Sequence, residues 1–300
     1  MHNQANHLPY AEVGSLMRRA SLMSLIVGVT LVVLKGGAWL MSDSLSLMSS
    51  LADSMLDVMA STVNFIAIRY ALRPPDDDHR FGHGKAEDLA TLAQSTFICG
   101  SGGFLVIEGI KRLFLPEPVY NSSIGIAVMV VSIVMTFALV LYQRHVVRKT
   151  ASSAIAADAM HYFSDFLMNI GVIVAIVMAS HFGWKTADPL IALIIAGGLI
   201  HGAYHMGRAA FNNLMDREFS DAEREEIKRV VLGFPDISGL HDLRTRRAGI
   251  HGFIQFHLVF CNRDISLKQA HKISDNVEEA LAAIYPHTEI LIHQDPYNDG

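Results

Sequence analysis

Six long apolar stretches, separated by short polar segments, constrain the fold of this chain more than any other feature. A helix needs about 20 mostly apolar residues to cross the hydrocarbon core of a bilayer. The stretches are Leu22–Met41, Ser46–Tyr70, Leu89–Leu115, Ile124–Tyr142, Ile155–Phe182 and Pro189–Ala210. The sequence therefore predicts an α-helical membrane domain with six transmembrane helices over residues 1–215.

The remainder of the chain, residues 216–300, has the pattern of a soluble domain. Helical and strand patterns alternate along it. The helices are predicted at Asp221–Gly233 and Ser266–Tyr285, and the strands at Gly239–Arg247, Gly252–Phe260 and Thr288–His293. Ser266 is a plausible cap for its helix. The order α-β-β-α-β favours a small α+β sandwich.

Basic residues are distributed unevenly between the two ends of the predicted spans. One end carries Arg18, Arg19, Arg73, Arg80, Lys85, Arg144, Arg148 and Lys149, and the opposite end carries Lys111, Arg112 and Lys185. Since lysine and arginine are enriched in cytoplasmic loops, the first end is predicted to be cytoplasmic. Six spans then place both termini in the cytoplasm. Lys35 falls near the far end of the first span, and we expect its stem to carry the ammonium to the interface.

Charge and cysteine content exclude two further classes. The net charge of −5 argues against a nucleic-acid partner, which would favour a basic domain. Cys99 and Cys261 are far apart in the sequence, so they indicate neither a disulfide framework nor a CxxC zinc site.

Four ionisable residues lie deep in two of the spans, as two pairs at i, i+4 spacing: Asp53 with Asp57, and His161 with Asp165. Each pair lies on one helix face. A charged residue at mid-bilayer costs about 2.5–3.5 kcal/mol on insertion scales, so its presence indicates a functional role. Counting along the two antiparallel helices places the pairs at matching depths, roughly 10–18 Å from the outer end. We therefore expect Asp53 beside Asp165, and Asp57 beside His161.

This combination of carboxylates and one imidazole suits a tetrahedral divalent ion. Three carboxylates would repel one another, so a cation or protons must occupy the group. Without cysteine or methionine the set disfavours Cu(I), and magnesium would prefer an all-oxygen octahedron. Zn²⁺, Fe²⁺, Mn²⁺ and Cd²⁺ remain open. The alternative is that these are isolated polar residues that face the bundle interior or water.

Two other parts of the chain carry metal-ligand residues. Asp76, His79 and His83 lie in the loop after the second span, where glycines allow tight bends, although a solvated acidic loop would have the same pattern. In the soluble domain, His293 and Asp295 share a strand face because they are two residues apart. The domain's other histidines are His241, His251, His257, His271 and His287, of which His251 and His287 are expected at the surface.

The membrane pairs, the segment Phe81–Glu87 and the segment His293–Pro296 together resemble the bacterial cation diffusion facilitators, specifically the zinc/ferrous-iron efflux branch. The similarity runs from about Arg19 to Pro296. The chain departs from the family pattern in the pair His201 and His205, for which an interfacial position is expected, and in a polar start with His2 and His7.

The resemblance implies a homodimer of six-helix membrane domains with cytoplasmic metallochaperone-like domains. It implies a transport site formed by Asp53, Asp57, His161 and Asp165. It implies a second site at Asp76, His79 and His83. It implies a two-metal cytoplasmic site at His241, His257, His271, His293 and Asp295, in which Asp295 bridges. Members of the family have a salt bridge near the dimer interface, and the resemblance implies that Lys85 and Asp216 form it here.

The expected function is a proton-coupled antiporter, not an enzyme. It would export divalent transition-metal cations across a bacterial inner membrane, with zinc as the main cargo and cadmium or ferrous iron as alternatives. Zn²⁺ would also be a structural ion. An intramembrane metalloprotease would need a helical HExxH motif, which the sequence lacks. A metal sensor that does not transport is the remaining alternative, although it would not need a site inside the membrane.

Overall fold

The computed structural model describes residues 8–42, 45–114, 123–182, 184 and 186–296. Within them the chain forms eight α-helices and three β-strands. The first six helices are long: α1 (Tyr10–Ser42), α2 (Leu45–Ala71), α3 (Lys85–Phe114), α4 (Ser123–Thr150), α5 (Ser153–Phe182) and α6 (Ala187–Leu214). The sequence predictions for His2, His7, Leu115 and Lys185 fall outside the described residues.

Each predicted span coincides with one of these helices, and most of the helices extend beyond the apolar stretch. α4, for example, continues past Tyr142 to Thr150 through Arg144, Arg148 and Lys149. Apolar composition marks only the part that fits the hydrocarbon core, whereas arginine and lysine are good helix formers in water. The helical bundle is therefore longer than the predicted spans.

By length and composition, α1, α2, α3, α4 and α6 qualify as membrane spans over their described residues. α5 carries Asp158, His161, Asp165 and Asn169 within a largely apolar sequence. Two of these residues, His161 and Asp165, were predicted to belong to a membrane ion site.

Close helix contacts hold the bundle together. Gly102 and Gly109 on α3 face Ile200 and Leu193 on α6, and a Cβ atom on Gly102 would lie 2.7 Å from the Ile200 Cγ1 atom. Small residues of this kind let helix backbones approach closely in a membrane. α1 packs against α2 and α4, and α5 packs against α4, α6 and α3.

The C-terminal part contains two helices and a three-stranded sheet. Its elements are α7 (Asp221–Val231), β1 (Ile237–Ala248), β2 (His251–Phe260), α8 (Leu267–Ile284) and β3 (Thr288–Asp295). The sheet order is β1-β2-β3, with β1 antiparallel and β3 parallel to β2. The predicted α-β-β-α-β order is confirmed. Ser266 caps α8 in a capping box, as predicted, and Ser220 does the same for α7.

The central strand separates a core face from a polar face. Ile254, Phe256, Leu258 and Phe260 of β2 are buried in the core formed with α7 and α8. Because successive side chains on a strand point to opposite faces, His257 lies on the other side of the sheet. The packing of the core therefore determines which face presents histidines.

The turn between β1 and β2 contacts the beginning of α3. A Cβ atom on Gly84 would overlap the Ala248 carbonyl oxygen. The Gly249 N–H, in the same turn, donates a hydrogen bond of 3.4 Å to the Asp88 carboxylate. Gly249 has a φ of +60°, a conformation that glycine adopts without strain. The C-terminal part therefore contacts the beginning of α3, the helix that follows the predicted loop site.

Candidate metal centres

The polar face of α2 meets the polar face of α5 at Asp57 and His161. The His161 Nε2 atom lies 3.0 Å from Asp57 Oδ1 and 3.9 Å from Asp165 Oδ2. One ligand atom from each of these three residues lies within 4.8 Å of the others. Ligands bound to one zinc ion at about 2.0–2.1 Å are roughly 3.3 Å apart in a tetrahedron. The group is therefore close to the size that one divalent ion requires.

The environment of this group also suits a cation. The His161 side chain is buried, and that of Asp57 is mostly so. Asp165 Oδ2 is buried and accepts no hydrogen bond from the described residues. A buried polar atom without a hydrogen-bond partner is costly, and a bound cation would remove that cost. The donor set fits a divalent metal ion.

Asp53 shares the cavity with the other three predicted ligands but is outside their compact group. The cavity has a volume of about 690 Å³ and is lined by Asp53, Asp57, His161 and Asp165. Asp165 lies near His161 on its own helix. Asp53 does not belong to the metal-sized group, so the expected pairing of Asp53 with Asp165 contributes nothing to that group. Asp57 lies beside His161 as expected, whereas the direction of the Asp53 side chain could not be predicted from the helical repeat.

Lys35 directs its ammonium toward α2 and into the bundle cavity, which differs from the expectation that its stem extends outward. Its Nζ atom donates hydrogen bonds to Ser54 Oγ at 2.7 Å and to the Ser50 carbonyl oxygen at 3.3 Å. It lines the same cavity as the acidic residues. Oxygen acceptors and nearby carboxylates within the bundle compensate the ammonium for the loss of its hydration by water.

A hydrogen-bonded network surrounds Asp158, one turn before His161 on α5. Asp158 is buried, and its carboxylate accepts hydrogen bonds from Gln143 Nε2 at 2.7 Å and Gln94 Nε2 at 3.4 Å. Gln143 Nε2 also donates to Ser24 Oγ at 2.8 Å. Sequence spacing did not predict this network. The available signal was one glutamine, Gln94, inside an apolar stretch and another, Gln143, directly after one.

The three predicted loop ligands come together between α2 and α3. Asp76 Oδ1 lies 3.2 Å from His79 Nδ1, and Asp76 Oδ2 lies 3.2 Å from His83 Nε2. The two imidazole rings are 4.6 Å apart between centroids. Asp76 and His79 are exposed, whereas His83 is buried with an Nδ1 atom that has no partner among the described residues. Each residue offers a free lone pair, so the group fits a resident metal ion.

Backbone hydrogen bonds prepare the Asp76 carboxylate. The N–H groups of His79 and Asp78 donate to Asp76 Oδ1 at 2.7 and 3.1 Å, which closes a tight turn. The bond from the His79 N–H, with help from the two imidazoles, holds the pKa of Asp76 below its usual range. Gly82 turns the chain between the two histidines with a φ of +76°. The carboxylate is thus ionised and oriented before any ion binds.

A row of histidines crosses the polar face of the sheet. His241 on β1 is the cross-strand partner of His257 on β2, which is in turn the partner of His293 on β3. Asp295 Oδ2 lies 3.0 Å from both His241 Nε2 and His257 Nδ1, and Oδ1 lies 3.3 Å from His293 Nε2. The two oxygens of Asp295 therefore face different histidines, which is the arrangement that a bridging carboxylate needs.

The ionisation of Asp295 follows from these neighbours. The hydrogen bond from His257 lowers the pKa of Asp295, and the charges of His257, His293 and His241 lower it further. Imidazole nitrogen and carboxylate oxygen are common zinc ligands. The group fits one or more resident zinc ions.

His271, Lys85 and Asp216 lie outside the three metal-sized groups. His271 lies exposed on α8, where its Nδ1 atom is 3.6 Å from Asp275 Oδ1, and the chain does not bring it to the histidine row. Lys85 Nζ and Asp216 Oδ1 form an ion pair of 2.9 Å within one chain. Arg246 Nη1 lies 3.5 Å from the same oxygen.

His201 and His205 lie on the exposed side of α6, with ring centroids 4.5 Å apart. Among the described residues, no third histidine, cysteine or acid joins them in a metal-sized group. An interfacial position for this pair stays a prediction.

Known proteins match this chain over both of its parts. The family model for the cation efflux transmembrane domain matches residues 21–215, and the model for the cation efflux protein cytoplasmic domain matches residues 219–297. The cation-efflux pump FieF of Salmonella choleraesuis (strain SC-B67) is 44% identical over 283 residues, which cover 94% of each chain. The FieF pump of Klebsiella pneumoniae subsp. pneumoniae has the same identity and coverage.

A solved structure of CzrB in its Zn form covers 28% of this chain and 97% of its own, at 34% identity and a TM-score of 0.25. The sequence relatives and the two family models agree with the helical bundle and the α-β-β-α-β unit. This chain belongs to the cation efflux family, and it is a membrane transporter rather than an enzyme.

Proposed function

We propose that this transporter exports divalent transition-metal ions from the cytoplasm in exchange for protons, and that zinc is its main cargo. The observation that carries the proposal is the group formed by Asp57, His161 and Asp165 inside the helical bundle. One nitrogen and two carboxylate ligands at this spacing favour zinc, with cadmium and ferrous iron as further candidates. The FieF relatives are named cation-efflux pumps.

The proposed mechanism is alternating access around this group. When the cavity is open to the cytoplasm, the imidazole of His161 and the carboxylates, with Asp53 nearby, take up the ion. Metal ions and protons compete for the same lone pairs. After the helices reorient, protons from the opposite side displace the ion, and the protonated site returns. Imidazole is the side chain that ordinarily exchanges protons near neutral pH, so His161 is the proposed main proton carrier.

The other two metal centres have proposed resident ions. His241, His257, His293 and Asp295 would hold zinc in the cytoplasmic domain, and Asp76, His79 and His83 would hold it in the loop. Zinc bound there would stabilise the folded domain, because an ion that binds the native state and not the unfolded chain increases the free energy of unfolding. These sites would stabilise a homodimer or sense the metal load.

The proposed arrangement in the cell is a homodimer in a bacterial inner membrane with both termini in the cytoplasm. Residues 1–215 would form the membrane domain and residues 216–300 the cytoplasmic domain. The charge distribution along the loops supports this orientation. The ion pair between Lys85 and Asp216 would hold the two domains together near the dimer interface.

The test is zinc flux into proteoliposomes under an imposed pH gradient. Wild-type protein should transport zinc in proportion to the gradient, and Asp57→Ala should abolish the flux. Asp78→Ala, which changes an exposed acid in the loop, is the matched control and should transport normally. Zinc binding without flux in the wild-type protein would indicate a sensor instead. Competition by Cd²⁺ and Fe²⁺ in the same assay would rank the cargo ions.

A further inference from the structure

Lys35 places a positive charge inside the cavity that holds the acidic ligands. Its ammonium is fixed by hydrogen bonds to Ser54 Oγ and to the Ser50 carbonyl oxygen. Ser50 and Ser54 flank Asp53 on α2, and Asp57 follows one turn later, so these residues share one face of the helix. The lysine is therefore held beside the ligand set, although it is itself no ligand.

The charges in the cavity add up to a simple balance. Asp53, Asp57 and Asp165 contribute three negative charges when ionised, and Lys35 contributes one positive charge. With a neutral His161, the net charge is that of two carboxylates, which a single divalent cation neutralises. Charges are least costly in a low-dielectric region when they are compensated locally.

We propose that Lys35 is a built-in counter-cation of the ion cavity, which matches the net charge of the cavity to one divalent ion and limits how tightly that ion is held. This inference rests on the proposed transport function of the cavity. Lys35 acts as a positioning residue, because it works through the charge of the ligand set and not by contact with the cargo.

Limited affinity is useful for a transporter, since the ion must leave as well as enter. An ammonium within about 10 Å of a divalent ion, at an effective dielectric constant of about 20, weakens binding by more than tenfold. Removal of this repulsion should tighten binding. The same change should slow release, because the cavity then has an uncompensated negative charge even when it is loaded.

The experiment measures the KM and the maximal rate of zinc flux in proteoliposomes at a fixed pH gradient. Lys35→Met removes the charge and keeps most of the side-chain volume. It should lower KM at least tenfold and also lower the maximal rate. Lys35→Arg keeps the charge and should leave KM within about twofold of wild type. A merely structural role would instead lower the maximal rate without tightening binding.

A second neutral variant tests the charge effect in case Lys35→Met does not fold. Lys35→Gln retains a donor for Ser54, and it should lower KM in the same direction as Lys35→Met. An unchanged or higher KM in a folded, monodisperse neutral variant would overturn the proposal. An equal effect of Lys35→Arg and Lys35→Met would also overturn it, since charge would then not be the operative property.

Asp57→Ala in the same assay separates this inference from the proposed function. If Asp57→Ala still transports zinc, the cavity is not the transport site and both ideas fail. If Asp57→Ala abolishes flux while the neutral Lys35 variants keep the wild-type KM, only the role of Lys35 is refuted.

Discussion

His161 on α5 and Asp57 on α2 meet at 3.0 Å although 104 positions separate them in the sequence. Asp165, by contrast, is only one turn from His161 on the same helix. Two of the proposed ligands therefore lie on α5, and one lies on α2. A change in the relative position of these two helices would dismantle the ligand set, which is what release of an ion requires.

Replacement of the nitrogen ligand should alter the ion preference. His161→Gln substitutes an amide for the imidazole, and we expect zinc flux to fall at least tenfold. Manganese flux should fall less, because manganese accepts oxygen ligands more readily than zinc does. Flux of both ions in proteoliposomes checks this, with the exposed His145→Gln as control. Equal losses for the two ions would mean that the imidazole nitrogen is not a ligand.

The histidine row and His271 should differ in their importance for the cytoplasmic site. Asp295→Asn removes the carboxylate that faces three histidines, so zinc affinity of this site should drop at least tenfold. His271→Ala should have little effect, since this ring lies apart and contacts Asp275. Calorimetric zinc titration of the full chain measures both. A similar loss in the two variants would show that His271 joins the site when metal is bound.

The ion pair between Lys85 and Asp216 should contribute little stability within one chain. Both side chains are more than one-third exposed, and exposed pairs contribute about 0–1 kcal/mol. Burial would raise the pKa of Asp216, but the hydrogen bond from Lys85 and the charges of Lys85 and Arg246 outweigh it and lower the pKa.

The lowered pKa of Asp216 determines how the stability contributed by this ion pair changes with pH. Because the folded-state pKa of Asp216 lies below the unfolded value, the stabilisation is present above about pH 4 and is lost as pH falls through the folded value. A double-mutant cycle with Lys85→Met and Asp216→Asn, measured by thermal unfolding, gives the coupling energy. A coupling well above 1 kcal/mol in the dimer would indicate that the pair also supports the interface between subunits.

Sequence reasoning predicted the helices and most of the residues that come together in the three metal-sized groups, and it failed where a side chain could point in more than one direction. The spacing placed Asp57 next to His161 and put Asp165 on the same helix face as His161, since these relations depend mainly on the helical repeat. The inward direction of Lys35 depends on oxygen acceptors from another helix, which no local pattern contains. The same reason applies to the network around Asp158 and to the position of His271, which the family resemblance alone suggested.

The contact between the two parts of the chain depends on the absence of a side chain at Gly84. A Cβ atom at this position would overlap the carbonyl oxygen of Ala248 in the β1–β2 turn. Gly84→Ala should therefore displace the turn from α3 and weaken the nearby hydrogen bond from Gly249 to Asp88. Overpacking of this kind costs about 1–3 kcal/mol. Faster amide hydrogen exchange in the turn, together with a lower unfolding temperature, would reveal the change.

Gly103→Ala is the matched control for this substitution. It lies on α3 as well, but among the described residues no atom outside its chain neighbours and the nearby α3 backbone lies within 4 Å of the position that its Cβ would occupy. Alanine is the better helix former by about 0.8–1.0 kcal/mol, so this variant should be as stable as the wild type or more so. If Gly84→Ala were as stable as Gly103→Ala and left hydrogen exchange in the β1–β2 turn unchanged, this turn would not be held against α3.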